Sequence, residues 1–170
     1  MIGTWRPRRR GQRGSSVLYV IVLSPVLLLG VALATEAGAL QMQKQRLQSA
    51  VDVSAVVAAA SAARAGGRAR IDVARAEGVS REVLAGNLAP LAGVLSGTGP
   101  LAVARDADVA VITDVPAPDP FVSGAVVTRP TLELRVRIPV RTGLFAAAGL
   151  PPVVTLTLVA SAGLREAAST

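Results

Sequence analysis

Residues 15–35 read SSVLYVIVLSPVLLLGVALAT and contain no charged side chain. As an α-helix this stretch is about 31 Å long, which matches the roughly 30 Å hydrocarbon core of a bilayer. A small globular domain is unable to bury a helix that is apolar on every face. Pro25 lies inside the stretch, and membrane helices tolerate an internal proline better than soluble helices do. We therefore predict one transmembrane helix over residues 15–35, marked by Tyr19 and Pro25.

The residues in front of this stretch predict its orientation. Five arginines precede residue 15, namely Arg6, Arg8, Arg9, Arg10 and Arg13. By the positive-inside rule they stay in the cytoplasm, which places the body of the chain outside the inner membrane. These five supply most of the net charge of +7, and only 2% of the residues are aromatic. A nucleic-acid-binding surface needs basic residues on the fold itself and rings for stacking, so we expect the lipid bilayer, and no nucleic acid, as a partner.

Three interpretations of the N-terminal region remain open. The first is an uncleaved membrane anchor. The second is a secretory signal peptide, since Ala32-Leu33-Ala34 forms a small-x-small cleavage pattern. The third is a leader that a prepilin peptidase removes between Gly14 and Ser15, because a basic leader and a glycine there precede a small polar residue.

The helical pattern continues beyond the apolar stretch. Residues 36–63 are rich in Ala, Leu, Gln, Lys and Arg, which favour helices. A partial apolar stripe at helical spacing is formed by Leu40, Leu47, Val51 and Val57. We predict one helix over residues 15–63, with Gly30 and Gly38 as its weakest points and Gly66-Gly67 as its end. This continuation favours an anchor over a signal peptide that is removed.

Two short helices are predicted next, over residues 68–76 and 81–88, with Ser80 as the N-cap of the second. The pattern then changes to alternating and β-branched residues, which indicate strands. The predicted strands cover residues 108–115, 122–127, 132–140 and 153–164. We therefore predict an α+β fold in which a helical stem precedes a three- or four-stranded antiparallel sheet that packs on it.

This pattern divides the chain into segments of different character. They are a basic cytoplasmic leader (1–14), a transmembrane helix (15–35), a helical stem (36–64), short helices and loops (65–100) and an antiparallel β region (101–170).

The predicted strand over residues 132–140 has an apolar face and a polar face. Its polar residues Glu133, Arg135 and Arg137 are expected to be solvated, or alternatively to form a strand surface that adds to a neighbouring subunit. The prolines at 116, 118 and 120 predict a loop. The apolar connector over residues 144–152 is either a closure of the core or an exposed patch for a partner or the membrane surface.

The residues that most enzymes and metal sites use are missing. The chain has no histidine and no cysteine, so catalytic triads, thiolate nucleophiles and most zinc sites are excluded. The spacing of Asp106, Asp108 and Asp114 does not fit a calcium loop, and these residues are expected to be solvated. No pair of acidic residues is predicted to converge. We therefore expect no catalytic residue, no metal, no cofactor and no enzymatic activity.

Residues 8–60 resemble the N-terminus of TadE- and TadG-like Flp (Tad) pilus-assembly proteins. In that family a basic leader and a glycine precede an apolar segment with a proline about eleven residues further on, as Gly14 and Pro25 do here. The family's stem resembles RQLQNAADAAALAAA, and the matching place here holds QRLQSAVD at residues 45–52. The C-terminal strand over residues 132–140 and the strand over residues 153–162 are also similar to the family's.

The resemblance implies a pilin-like fold and a minor pseudopilin-like role. Its implied partners are other Tad/Flp pilus subunits and assembly proteins, with a prepilin peptidase that acts at Gly14 and Ser15. The family typically has Glu at the fifth position after the glycine, where this chain has Tyr19. Processing at Gly14 and an uncleaved, TadG-like anchor therefore both stay open. The implied function is a structural or assembly component of the Tad/Flp type IV pilus; the alternative is a single-pass envelope scaffold or binding module unrelated to pili.

Overall fold

The computed structural model describes residues 13–64 and 70–164. Four α-helices occur in this part of the chain: α1 (Arg13–Ala62), α2 (Val73–Leu88), α3 (Pro100–Arg105) and α4 (Leu144–Ala147). Seven strands accompany them: β1 (Ala63–Arg64), β2 (Arg70–Ile71), β3 (Asp108–Ile112), β4 (Ala117–Pro118), β5 (Val126–Val127), β6 (Thr131–Arg141) and β7 (Val153–Gly163). A 3-10 helix, Ala89–Val94, continues α2. The predicted α+β class, with one long helix and a small antiparallel sheet, is confirmed.

Helix α1 is continuous over 50 residues, which corresponds to about 75 Å. It runs through Pro25, Gly30 and Gly38 without a break, so these three residues do not end it. The predicted breaker Gly66-Gly67 lies outside the described residues. Ala63, before this pair of glycines, is paired with Ile71 after it, and β1 and β2 form a short antiparallel ladder between α1 and α2.

The part of α1 beyond residue 46 contributes six of the 22 buried hydrophobic residues of the core in the described part of the chain. Its buried residues recur at helical spacing and are Leu47, Val51, Ser54, Ala55, Ala58, Ala59 and Ala62. The prediction that Val57 belongs to this face is wrong, because its side chain is exposed. Alanine and serine occupy the buried positions instead, and such small side chains allow α2 and the sheet to approach the helix closely.

Helix α2 is one continuous helix where two were predicted, and it begins at Val73 because Arg70 and Ile71 form β2. Asp72 is the N-cap, and its carboxylate accepts a hydrogen bond from Arg75 N at 3.1 Å, as N-cap residues do. The prediction that Ser80 starts a separate helix is therefore wrong, since Ser80 is buried within α2 and its hydroxyl donates to Glu77 O. Asn87 ties α2 to α1, because its Nδ2 donates to Ser54 Oγ at 3.0 Å.

The main sheet has the order β3-β6-β7 and is antiparallel throughout. Leu134 of β6 pairs with Val109 on one side and with Ala160 on the other. The inner face of the sheet packs on α1 and is entirely apolar in β6, where its buried residues are Leu132, Leu134, Val136, Ile138 and Val140. Alternation in the sequence thus predicted the core face of this strand correctly.

Candidate membrane anchor and contact surfaces

The N-terminal half of α1 is long and apolar enough to span a membrane. Its most apolar 18-residue window is not buried by any other part of the described chain. In water, such an apolar surface on a lone helix has no partner to cover it. This exposure separates it from the core helix of a soluble protein, which has the same composition but is packed on several sides.

The predicted site residues of this region fall in the first turns of α1 or before it. The backbone of Arg13, Gly14 and Ser15 is helical. The side chain of Tyr19 is exposed on the apolar segment, and Pro25 lies within the helix. The four remaining leader arginines, Arg6, Arg8, Arg9 and Arg10, lie outside the described residues.

The segment that connects β6 to β7, residues 143–152, lies beside the end of the apolar stretch. We call it the membrane-proximal loop. Its Gly143 N donates a hydrogen bond to Glu36 Oε1, and Glu36 follows directly after Thr35, the last residue of the uncharged stretch. Helix α4 of this loop also packs on α1. The fold therefore places one end of the sheet next to the predicted membrane boundary.

Part of the outer face of the sheet is not solvated as expected, because residues 113–130 cross it over Glu133, whereas Arg137 is exposed as predicted. This segment contains the β4–β5 ladder and a turn at Gly124, whose φ of +80° favours glycine. Glu133 lies beneath it and is only 2% exposed. The predictions that Glu133 is solvated and that no two acidic residues converge are both wrong, since Asp119 of the crossing segment interacts directly with Glu133.

The two carboxyl groups of Asp119 and Glu133 have pKa values that move apart. Burial, together with the hydrogen bond and the negative charge of Asp119, raises the pKa of Glu133 to about 7. Burial also acts to raise the pKa of Asp119, but the backbone N–H groups of Phe121 and Val122 and the hydrogen bond with Glu133 outweigh it, so that this pKa is lowered. The pair is thus arranged for a protonated Glu133 that donates to an ionised Asp119.

Arg135 forms further contacts on the outer face of the sheet. Arg135 forms an ion pair with Asp108 on the adjacent strand, with Nη2 at 2.8 Å from Oδ2. The guanidinium of Arg135 also lies 4.6 Å from the centre of the Phe121 ring, within the range of a cation–π contact. Asp108 is therefore paired, contrary to expectation, whereas Asp106 and Asp114 are exposed. These contacts attach the crossing segment to the sheet.

The Asp119–Glu133 pair and Asp108 do not form a site for a metal. Among the described residues no cluster of three or more acidic side chains is able to hold an ion. A shallow apolar groove of about 510 Å³ lies between α2 and α3, with Glu82 as its acidic lining residue.

Strands β3 and β7 form the two edges of the three-stranded sheet. Leu164 N donates to Pro130 O, and Pro152 O accepts from Thr142 N, so the even-numbered residues of β7 bond to β6. The backbone groups of the odd-numbered residues face away from β6, and α1 meets one of them, because Gln48 Nε2 donates to Val159 O at 2.9 Å. Strand β6 lies between two neighbours, so the alternative that it adds to another subunit's sheet is wrong.

The stem also presents an apolar surface on the side away from its core. The exposed residues of this surface, which we call the stem stripe, are Met42, Val53, Val56 and Val57. They belong to the same stretch of α1 whose opposite side is buried.

No family model matches the chain, and it matches neither a curated protein nor a solved structure. Its function must therefore be inferred from its own residues and contacts.

Proposed function

We propose that this protein is a minor pseudopilin-like structural or assembly component of the Tad/Flp type IV pilus machinery. The observation that carries the proposal is the continuity of α1, which runs from an exposed apolar segment into a stem that supports the sheet. This arrangement combines a membrane anchor and an assembly module in one helix. The pilus system is proposed because residues 8–60 resemble TadE- and TadG-like proteins.

The proposed mechanism is physical. The apolar segment of α1 holds the subunit in the inner membrane, with the leader arginines in the cytoplasm and the body outside. The stem stripe then packs against the helices of other pilus subunits, since an exposed apolar surface of this kind favours a protein partner. The outward-facing backbone groups of β7 that α1 does not contact supply a second contact, because unpaired strand edges accept further strands.

A second candidate function is a single-pass envelope scaffold or binding module. It is favoured by Tyr19, which stands where the family typically has Glu. The N-terminus of the mature protein in its native cells separates the two. A membrane-bound chain that begins at Ser15 supports prepilin-type processing, whereas an intact N-terminus supports a scaffold or a TadG-like subunit. A soluble chain that begins at Thr35 contradicts both.

Deletion of the gene tests the pilus function. We expect the deletion strain to lose its Flp pili, as counted by electron microscopy, and the wild-type gene to restore them. A variant with Val53→Asp and Val56→Asp should not restore them, because two buried carboxylates oppose packing of the stem stripe. Both valines are exposed in the subunit, so its unfolding temperature should change little.

The matched control is Gln45→Asp, which places one carboxylate at an exposed polar position of the same stem. This variant should restore pili to the wild-type number. Normal piliation in the deletion strain would contradict the pilus function. Normal piliation with the double variant alone would contradict only the assigned role of the stem stripe.

A further inference from the structure

The membrane-proximal loop has apolar side chains that are exposed. Leu144 is 45% exposed and Leu150 is 48% exposed, whereas Phe145 is half-buried. The loop thus contributes in part to the closure of the core and leaves two leucines about half exposed. Its shape is held by Thr142, which is buried and whose Oγ1 donates to Pro151 O at 2.9 Å. Leu150 N also donates to Phe145 O at 2.8 Å.

Two contacts determine the position of this loop along the axis of α1. The first joins Gly143 to Glu36, and the second joins Val159 of β7 to Gln48. Glu36 and Gln48 are separated by about 18 Å of helix, and Val153 and Val159 are separated by about 20 Å of strand. Val153 is the first residue of β7 and adjoins the loop that holds Gly143. Because the helix length and the strand length agree, β7 runs alongside α1 and away from the apolar segment. The loop is therefore at the end of the sheet that lies nearest to the membrane.

This position along α1 coincides with the expected layer of lipid headgroups. The headgroup layer of one leaflet is about 5–7 Å thick, and it begins where the hydrocarbon core ends. The uncharged stretch ends at Thr35, so Glu36 and the Gly143 amide bonded to it lie within this layer. Ala32 and Leu33 are already half-buried, although Val31 before them is exposed. Another part of the described chain thus covers α1 within its last apolar turn.

We propose that the membrane-proximal loop is a second membrane contact, which inserts Leu144 and Leu150 into the interface of the bilayer that α1 crosses. Arg141 is exposed at the base of the loop and is positioned for anionic headgroups. The inference rests on the proposed membrane anchoring by α1. Its consequence is that the body is held at two points, and a subunit held in this way presents its stem stripe and the β7 edge in a fixed direction.

Depth-dependent fluorescence quenching tests this proposal. The chain contains no cysteine, so single-cysteine variants of the full-length protein take up a nitrobenzoxadiazole probe at one position. The variants are Leu150→Cys in the loop, Val26→Cys in the apolar segment and Ser123→Cys, which is exposed on the crossing segment. Each is reconstituted in vesicles of phosphatidylcholine and phosphatidylglycerol that contain a lipid with a spin label near the headgroup.

We expect the spin-labelled lipid to quench the probe at position 150 severalfold more than the probe at position 123, with a blue-shifted emission at position 150. Equal quenching at positions 150 and 123, with a probe at position 26 that lies in lipid, would overturn the loop contact and leave the anchor intact. A probe at position 26 that reports water would overturn the anchor itself, and with it the inference.

Discussion

Replacing Leu134 by alanine will lower the free energy of unfolding by about 3 kcal/mol, as is usual when a buried leucine is truncated. Leu134 is at the centre of β6, is 0% exposed and faces α1. Its cross-strand neighbours are Val109 and Ala160, which are too small to fill the cavity that the change leaves. The measurement is urea-induced unfolding of the full chain in detergent micelles, followed by far-ultraviolet circular dichroism.

Leu101→Ala is the matched control for this prediction. It removes the same atoms from a leucine of α3 that is 73% exposed, and such surface changes stay within about 0.5 kcal/mol. Equal effects of the two substitutions would show that β6 does not form the centre of the core described above.

The stability of the wild-type protein should fall by about 3 kcal/mol as the pH rises from about 5 to 8, because the pKa of Glu133 is raised to about 7 in the fold. In the unfolded chain this carboxyl ionises near pH 4.5. Between these two values the folded state binds more protons than the unfolded state, and a rising pH therefore favours unfolding. Above the folded-state pKa the loss is complete. Asp119, whose pKa is lowered, acts in the opposite sense and below this range.

Glu133→Gln should remove most of this dependence on pH, since the amide keeps the shape of the protonated acid and does not ionise. We expect the variant to match the wild-type protein near pH 5 and to be more stable at pH 8, in the same urea experiment. Glu82→Gln, at an exposed position of α2, should leave the dependence unchanged. An equally steep decline with Glu133→Gln would assign the effect to another group and contradict the description of the pair.

The long helix and the two long strands could be predicted because their signals are local. Alternation over residues 132–140 identified the apolar face of β6, and the composition of residues 36–63 identified the stem. The boundary of α2 was misplaced because Ser80 is a good N-cap by type. Asp72 caps the helix instead, and Gly78 is accommodated within it.

The contacts that link distant segments could not be predicted in this way. Alternation shows which face of β6 is apolar, but it does not show that residues 113–130 return across the other face and bury Glu133. The hydrogen bond between Glu36 and Gly143 joins residues 107 positions apart, and no local pattern encodes such a pairing. The stem stripe was missed in part because alanines, and not Val57, fill the buried face of α1.

Cysteine accessibility in cells tests the central claim most directly, namely that α1 remains as a membrane anchor with the body outside. Ser123→Cys introduces a single thiol, at an exposed position of the body, into a chain that has none. Spheroplasts are treated with a membrane-impermeant maleimide before or after lysis, and the membranes are then extracted with alkaline carbonate. We predict full labelling before lysis on a protein that stays in the extracted membranes. Labelling only after lysis, or recovery of the protein in the soluble fraction, would contradict the claim.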